Sequence, residues 1–274
     1  MRNMLKGWIV TLSGLLFFSS YAWSQTGQPA DQQNFNPGAN TLYDKLKNTG
    51  PGGPAPRHDI SGFWTGALGA KINPVPPMTP WGQEQFRAHK TLQYGAAASN
   101  DPFKLCDPLG FPRNMLSSLR GIAIAEMQGK MLVMNQYNRV WRAIWTDGRE
   151  LPKSVGGRSA DSAEPMFYGY SVGHWDGDYS FVVNTVGSDE RSWLDGQGHP
   201  HSLDMRVQER FTRVDHNTLE DTITIDDPKT YTKPFVISTV SFRWIPEQEF
   251  PEEFLCVPSE MSEYMRIMGD PAGK

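Results

Sequence analysis

Between Gly121 and Ile245 the chain repeats one local pattern: a short run with apolar residues at every second position, then a turn. The turns fall at Gln128-Gly129, Tyr137-Asn138, Asp147-Gly148, Asp176-Gly177 and Asp215–Asn217. A period of two is the signature of strands with one buried face. Asp-Gly between alternating runs favours a hairpin turn. The runs are Gly121–Met127, Met131–Gln136, Val140–Thr146, Phe167–Trp175, Tyr179–Val186, Met205–Val214, Leu219–Ile225 and Phe235–Ile245. A first run, in "DISGFWTGAL", centres on Phe63–Leu68. About nine closely spaced strands predict an all-β, antiparallel barrel or sandwich with long loops. One helix interrupts the series, in "MTPWGQEQFRAHKTLQYG". Thr79 can cap it, Pro80 takes the first helical position and Gly95 can stop it.

The N-terminus reads as an export signal over residues 1–24. Arg2 and Lys6 precede a mostly apolar run from Trp8 to Phe18, and Ala22 and Ser24 supply small residues for cleavage. The apolar run is about half the length a spanning helix needs, so no membrane span is expected in the mature chain. The expected location is the periplasm or the outside of the cell. Residues 25–57 carry five Gly and five Pro with few large apolar residues, which predicts a flexible arm. A single barrel domain is expected over 58–274. Without Arg2 and Lys6 the chain has 24 basic against 30 acidic residues, a net charge of −6. With no basic run, nucleic acid is excluded as a partner class. The cysteines are Cys106 and Cys256. An even count in an exported chain predicts a disulfide between them, with two separate buried thiols as the alternative.

Alternation also assigns side chains to faces. It groups Ile122, Ile124 and Glu126; Val140, Arg142 and Ile144; Tyr168, Tyr170, Val172 and His174; and Met205, Val207, Glu209, Phe211 and Arg213. If these faces point inward, Glu126, Arg142, His174 and Glu209 lie in the barrel. Buried charges need partners. A Glu–Arg pair there would either hold a ligand's polar group or brace the barrel. Because Trp141, Ala143 and Trp145 are apolar too, the two faces of their strand could be exchanged.

A long polar loop, "ERSWLDGQGHPHSLD" (Glu190 to Asp204), gathers an arginine, a tryptophan, two aspartates and two histidines. Three readings are open. His199 and His201 in an extended segment would share a side, with Asp195 as a third metal ligand, but two imidazoles and one carboxylate are a thin set and no metal is expected. Asp195 could orient His201 for acid–base catalysis, with Arg191 or Arg142 stabilising an anion. Or the polar groups tie down the loop's own backbone around a Trp193 plug. No phosphate loop, metalloprotease or Cys-x-x-Cys motif is present, and no cofactor is expected. "GYSVG" at Gly169–Gly173 lies in a strand series, without the strand–turn–helix setting of a nucleophile elbow.

Gly62-Phe63-Trp64 resembles the Gly-x-Trp first-strand signature of the lipocalin or calycin group. That resemblance implies a calycin-like antiparallel barrel in which a last-strand arginine, here Arg243, packs on Trp64. The blocks "CDPLGFPR", "IWTDGRELP", "YGYSVGHWDGDYSFVVNTVG", "WLDGQGHPHS", "ERFTRVD" and "TIDDPKTYTKPF" resemble a widespread family of uncharacterised secreted bacterial proteins. It implies no activity and supplies no catalytic residues. The leading expectation is a barrel that binds a small, largely apolar ligand through Trp193, His199, Glu126, Arg142, Tyr168 and Glu209. A cofactor-free lyase, isomerase or hydrolase, and a non-catalytic envelope or assembly protein, are the alternatives.

Overall fold

The computed structural model describes residues 50–65, 72–95, 98–116, 121–245 and 254–269. The export signal and most of the arm lie outside them. The described end of the arm bonds to the body: His216 N and Asn217 N donate to the carbonyls of Gly53 and Pro51.

Nine strands close into one barrel in sequence order. They are β1 (Gly62–Trp64), β2 (Ile122–Met127), β3 (Lys130–Asn135), β4 (Trp141–Trp145), β5 (Tyr170–Asp176), β6 (Ser180–Val186), β7 (Arg206–Asp215), β8 (Thr218–Asp226) and β9 (Phe235–Ile245). β1 pairs with β9 to close the ring. The helices are α1 (Pro80–Ala88), α2 (Arg113–Leu116) and α3 (Pro258–Tyr264), with short 3-10 or π turns at Leu92–Tyr94, Pro102–Leu105 and Met265–Gly269. There is thus more helix than the single one expected. α1 is capped as its sequence predicts, with Thr79 Oγ1 accepting from Gly82 N at 3.1 Å. Among the described residues no helix is long and apolar enough to cross a membrane.

One seam corrects the expectation of a wholly antiparallel barrel. β4 and β5 run parallel, matched at Ile144–Ser171 and Trp145–Val172. Parity requires such a seam. Strand direction cannot alternate all the way round a closed ring with an odd number of members. The parallel pair is joined by a long excursion of the chain, residues 146–169, as parallel pairing needs a long crossover.

The inward residues form one core. Trp64, Phe111, Phe181, Phe211 and Phe242 are each at most 1% exposed and pack with Ile144, Val183, Val207, Ile223 and Val240. β5 is the strand whose phase the apolar pattern misassigns. Ser171 is buried while His174 is exposed, so Tyr170, Val172 and His174 belong to the outer phase. Gly173 carries the reason. A Cβ there would sit 2.5 Å from the Phe181 ring and 2.9 Å from Ile144. Phe181, from the neighbouring strand, fills the volume that a large β5 side chain would otherwise take.

The first-strand motif has a geometric basis. Gly62 has φ +129°, and a Cβ there would press on Trp244 at 3.1 Å. Trp64 points inward, fully buried, and its indole N–H donates to Ile60 O. The arginine on its ring is Arg213 of β7, at 4.5 Å from the ring centroid. Arg243 instead donates to Thr218 Oγ1 at 2.6 Å, because its strand turns Phe242 inward and Arg243 away. That corrects the assignment of Arg243. Arg213 also donates to the carbonyls of Asp59, Asp215 and His216, which ties the segment before β1 to the β7–β8 turn.

Candidate functional site

Three regions hold the residues singled out from the sequence: the 190–204 loop, a charged cluster inside the barrel, and a groove along the parallel seam.

The loop is a self-bonded cap. Asp195 Oδ1 accepts from Gln197 N and His199 N, and Oδ2 takes the Nδ1 proton of His199 at 2.6 Å. Asp195 is 2% exposed. Its partner is therefore His199, not His201. The four-residue spacing, bent by Gly196 and Gly198, brings that imidazole onto the carboxylate. His201, 1% exposed, turns elsewhere: Nδ1 donates to Ser202 O at 3.3 Å and Nε2 lies 3.1 Å from Ser192 Oγ. Burial holds its pKa below the ordinary histidine value, so the ring is neutral. The expected Asp195–His201 pair is not formed, and the two imidazoles do not share a set of partners. Arg191 faces outward over the Phe167 ring, bound to Asp189 by Nε and Nη2. Trp193 is 3% exposed and stacks on His89 at 4.4 Å, as the expected plug. Asp227 accepts from Ser202 N, Ser202 Oγ, Thr230 N and Thr230 Oγ1, and Tyr231 donates to Pro200 O. Among the described residues no group of three or more His, Cys, Asp or Glu is placed to hold a metal ion.

Beneath this cap, α2 and the turn before it plug the barrel. Arg113 forms a bidentate pair with buried Asp101 at 2.8 and 2.7 Å. Phe111, Met115 and Leu116 enter the core. The Cys106–Cys256 disulfide, with Cα atoms 5.4 Å apart, fastens this segment to the chain before α3. A disulfide is consistent with an oxidising compartment.

Inside the barrel, Arg142 of β4 donates from Nη2 to both oxygens of Glu209 of β7, at 2.7 and 2.6 Å. Their side chains are 2% and 0% exposed. The Phe111 ring lies 4.0 Å from the guanidinium carbon. A third charged-type residue, Asp221 of β8, is fully buried beside them. Register explains its position. Asp221 faces Phe211 across the β7–β8 ladder, one inward step from Glu209. Sequence reading missed Asp221, although Leu219, Asp221, Ile223 and Ile225 share one face and the carboxylate breaks an otherwise apolar set. Both Asp221 oxygens, and Nε and Nη1 of Arg142, have no hydrogen-bond partner among the described residues. Burial first, then the charge of Glu209, pushes the Asp221 pKa well up, against the pull of Arg142. Burial raises Glu209 as well, and Arg142 opposes it. Of the other interior expectations, Glu126 keeps the inward phase but stands exposed at the end of its hairpin. Its cross-strand partner Met131 fills the core there.

These shifts have a pH consequence. Asp221 keeps its proton in the folded protein at pH values where the unfolded chain, with the ordinary value of 3.8, has released it. Folding therefore takes up a proton, and stability falls as pH rises from that value toward the folded-state pKa. The slope from one group is at most about 1.4 kcal/mol per pH unit. Urea midpoints measured from about pH 4 upward should fall more steeply for the native chain than for Asp221→Asn.

The third region lies on the outer wall. With two matched pairs at the parallel seam, β4 and β5 leave a groove of about 470 Å³ beside it. Trp141, Trp145, Met166, Tyr168 and Tyr170 line it, together with Arg142 and Ser171 from the two strands. Trp141 is 70% exposed. Burial raises the Tyr168 phenol to about 12, so it stays protonated. Lys130 and Arg149 lie over the Trp145 ring, at 5.0 and 3.4 Å. The structure thus brings Tyr168 to this groove, which Arg142 borders, while the Arg142 side chain turns inward to pair with Glu209. Trp193 and His199 belong to the cap, with Asp195 and His201.

Comparison of the chain with protein-family models, with curated proteins and with solved structures finds no match in any of the three. What fold and site define is a closed, plugged nine-stranded barrel with a charged interior and one apolar groove at its parallel seam.

Proposed function

We propose that this is an exported, calycin-like barrel protein, periplasmic or secreted, that binds a small, largely apolar ligand in the groove along the β4–β5 seam. The resemblance to secreted bacterial proteins supports export. The observation that carries the binding reading is the groove itself: aromatic and methionine side chains line a concave space whose lining includes two charged residues, Lys130 and Arg142. Small-molecule sites usually have this makeup. The groove is a better place than the lumen, which Trp64, Phe111 and the core phenylalanines occupy. The reading of an Asp195–His201 acid–base enzyme loses its support, since Asp195 bonds His199.

The test is binding of the neutral fluorescent probe N-phenyl-1-naphthylamine. Trp141→Ala removes an exposed wall of the groove and leaves the core intact, so it should weaken the probe at least about tenfold, a hot-spot effect of at least about 1.4 kcal/mol. Unchanged binding in that variant would exclude the groove. A non-catalytic assembly role is the second reading. It rests on an apolar hollow of about 390 Å³ beside the disulfide, lined by Phe103, Phe254, Leu255, Met261 and Tyr264. Light scattering that shows a monomer at all concentrations would count against self-assembly through it.

A further inference from the structure

The parallel seam carries an open strand edge. Asn135 N donates to Val140 O, so the bonded pairs of the β3–β4 ladder recur at every second position, at Val133–Arg142 and Met131–Ile144. The peptide groups of Trp141, Ala143 and Trp145 therefore point the other way, toward β5. That strand meets them only in part. Matched pairs begin at Ile144–Ser171 and end at Trp145–Val172. Upstream of Ser171 the chain leans on the β6 side instead. Tyr170 is matched to Val186, Met166 bridges to Ser188, and Gly169 N turns back to Met166 O. Among the described residues, the N–H groups of Trp141 and Ala143 thus have no strand opposite them. The groove lies where the wall parts, with Trp141 and Ala143 on one side and Tyr168, Gly169 and Tyr170 on the other. An open edge beside an apolar hollow is a template for an added strand.

We propose that the groove takes short apolar peptides, bound in extended form as an added strand on the Trp141–Ala143 edge of β4. This inference rests on the groove being the binding site. The main chain of Trp141 can both donate and accept, and Ala143 N–H donates to a peptide carbonyl. Side chains on the outer face of the peptide then enter the hollow among Trp141, Trp145, Met166 and Tyr170. A hydrocarbon fills the same hollow but leaves the main-chain groups bare, and covering a bare donor costs binding energy. A whole strand from a second copy is too long for this edge. From Ile144 onward β5 takes it, and just before it Asn138 and Arg139 turn the chain with positive φ. Three residues of edge span about 10 Å, room for a tripeptide and little more.

The experiment titrates the protein calorimetrically with the capped tripeptide acetyl-Val-Phe-Val-amide. Two further forms carry one N-methyl group each, on the phenylalanine or on the following valine. Successive amides of a strand face opposite sides, so one of these methyl groups meets β4 and the other meets solvent. One methylated form should lose at least about tenfold in affinity and the other no more than about threefold. Equal affinity of all three forms is the mark of side-chain burial alone and would overturn the inference. Ala143→Pro removes an edge N–H without breaking the β3–β4 ladder, because that N–H points away from β3. It should weaken the unmethylated tripeptide at least about tenfold, with circular dichroism confirming the fold. Unchanged affinity in a folded variant would overturn the inference, and if the variant does not fold, the methylated series on the native protein decides. An affinity that falls as protein concentration rises would place a second copy on the edge and overturn it too. If N-phenyl-1-naphthylamine binds and the tripeptide does not, the groove reading stands and this inference fails. If neither binds, both fail.

Discussion

Replacing Arg142 with methionine is expected to destabilise the protein by about 3–5 kcal/mol, the usual cost of removing one partner of a buried ion pair. The loss is not the worth of the salt bridge itself. Glu209 is 0% exposed and takes both its arginine contacts from Nη2, so the variant leaves a buried carboxylate with no cation. It must then take up a proton or expose itself to water. Burial already pushes the Glu209 pKa up, and the variant removes the arginine that opposes that push. The Phe111 ring also loses its stacked guanidinium at 4.0 Å, which loosens the plug. The double variant Arg142→Met, Glu209→Leu removes both charges and should recover most of the loss, because a buried pair and a packed apolar pair are often close in free energy. Urea denaturation of the native, single and double variants measures all three values. A single variant as stable as the native chain would show that solvent reaches Glu209.

Removing the disulfide is the other large effect. Cys106 and Cys256 close a loop with a sequence separation of 150. In the chain-entropy view a loop of that length contributes about 4–5 kcal/mol, by restricting the unfolded chain. Paired Cys106→Ser and Cys256→Ser substitutions should cost close to that. The lesion should be uneven. The bond joins the plug segment to the chain before α3, whereas the β6–β9 wall holds its ladders without it. Hydrogen exchange should rise first at α2 and around Phe254–Tyr264, before β7 and β8. Uniform acceleration throughout the barrel would mean that plug and wall unfold as one unit.

Much of the architecture was legible because strand periodicity is local. Eight of the strand positions follow from alternation and turn residues, and Phe235–Ile245 matches β9 end to end. A Glu–Arg pair inside the barrel was legible too, since Glu126, Arg142 and Glu209 interrupt apolar faces, but which glutamate meets Arg142 was not. The failures share a cause. The β5 phase, the arginine on Trp64 and the partner of Asp195 each depend on a neighbour remote in sequence or on a bend in the loop. Phe181 takes the space beside Gly173, Arg213 reaches Trp64 before Arg243 can, and a glycine-bent turn hands Asp195 to His199. Asp221 escaped notice because one carboxylate on a strand reads as a solvent residue until the register puts it inside.

By itself, the sequence determined that the chain is a series of about nine short strands with one buried face each, and that two cysteines were there to be joined. Those properties follow from the side-chain period and from turn chemistry, which act over a few residues. Only the tertiary structure decided that the strands close into a ring, and closure of an odd number imposes one parallel seam. At that seam the short pairing between β4 and β5 opens the groove and brings it alongside Arg142. Ring closure is a relation among all nine strands at once, so no local pattern could have announced where the wall would part.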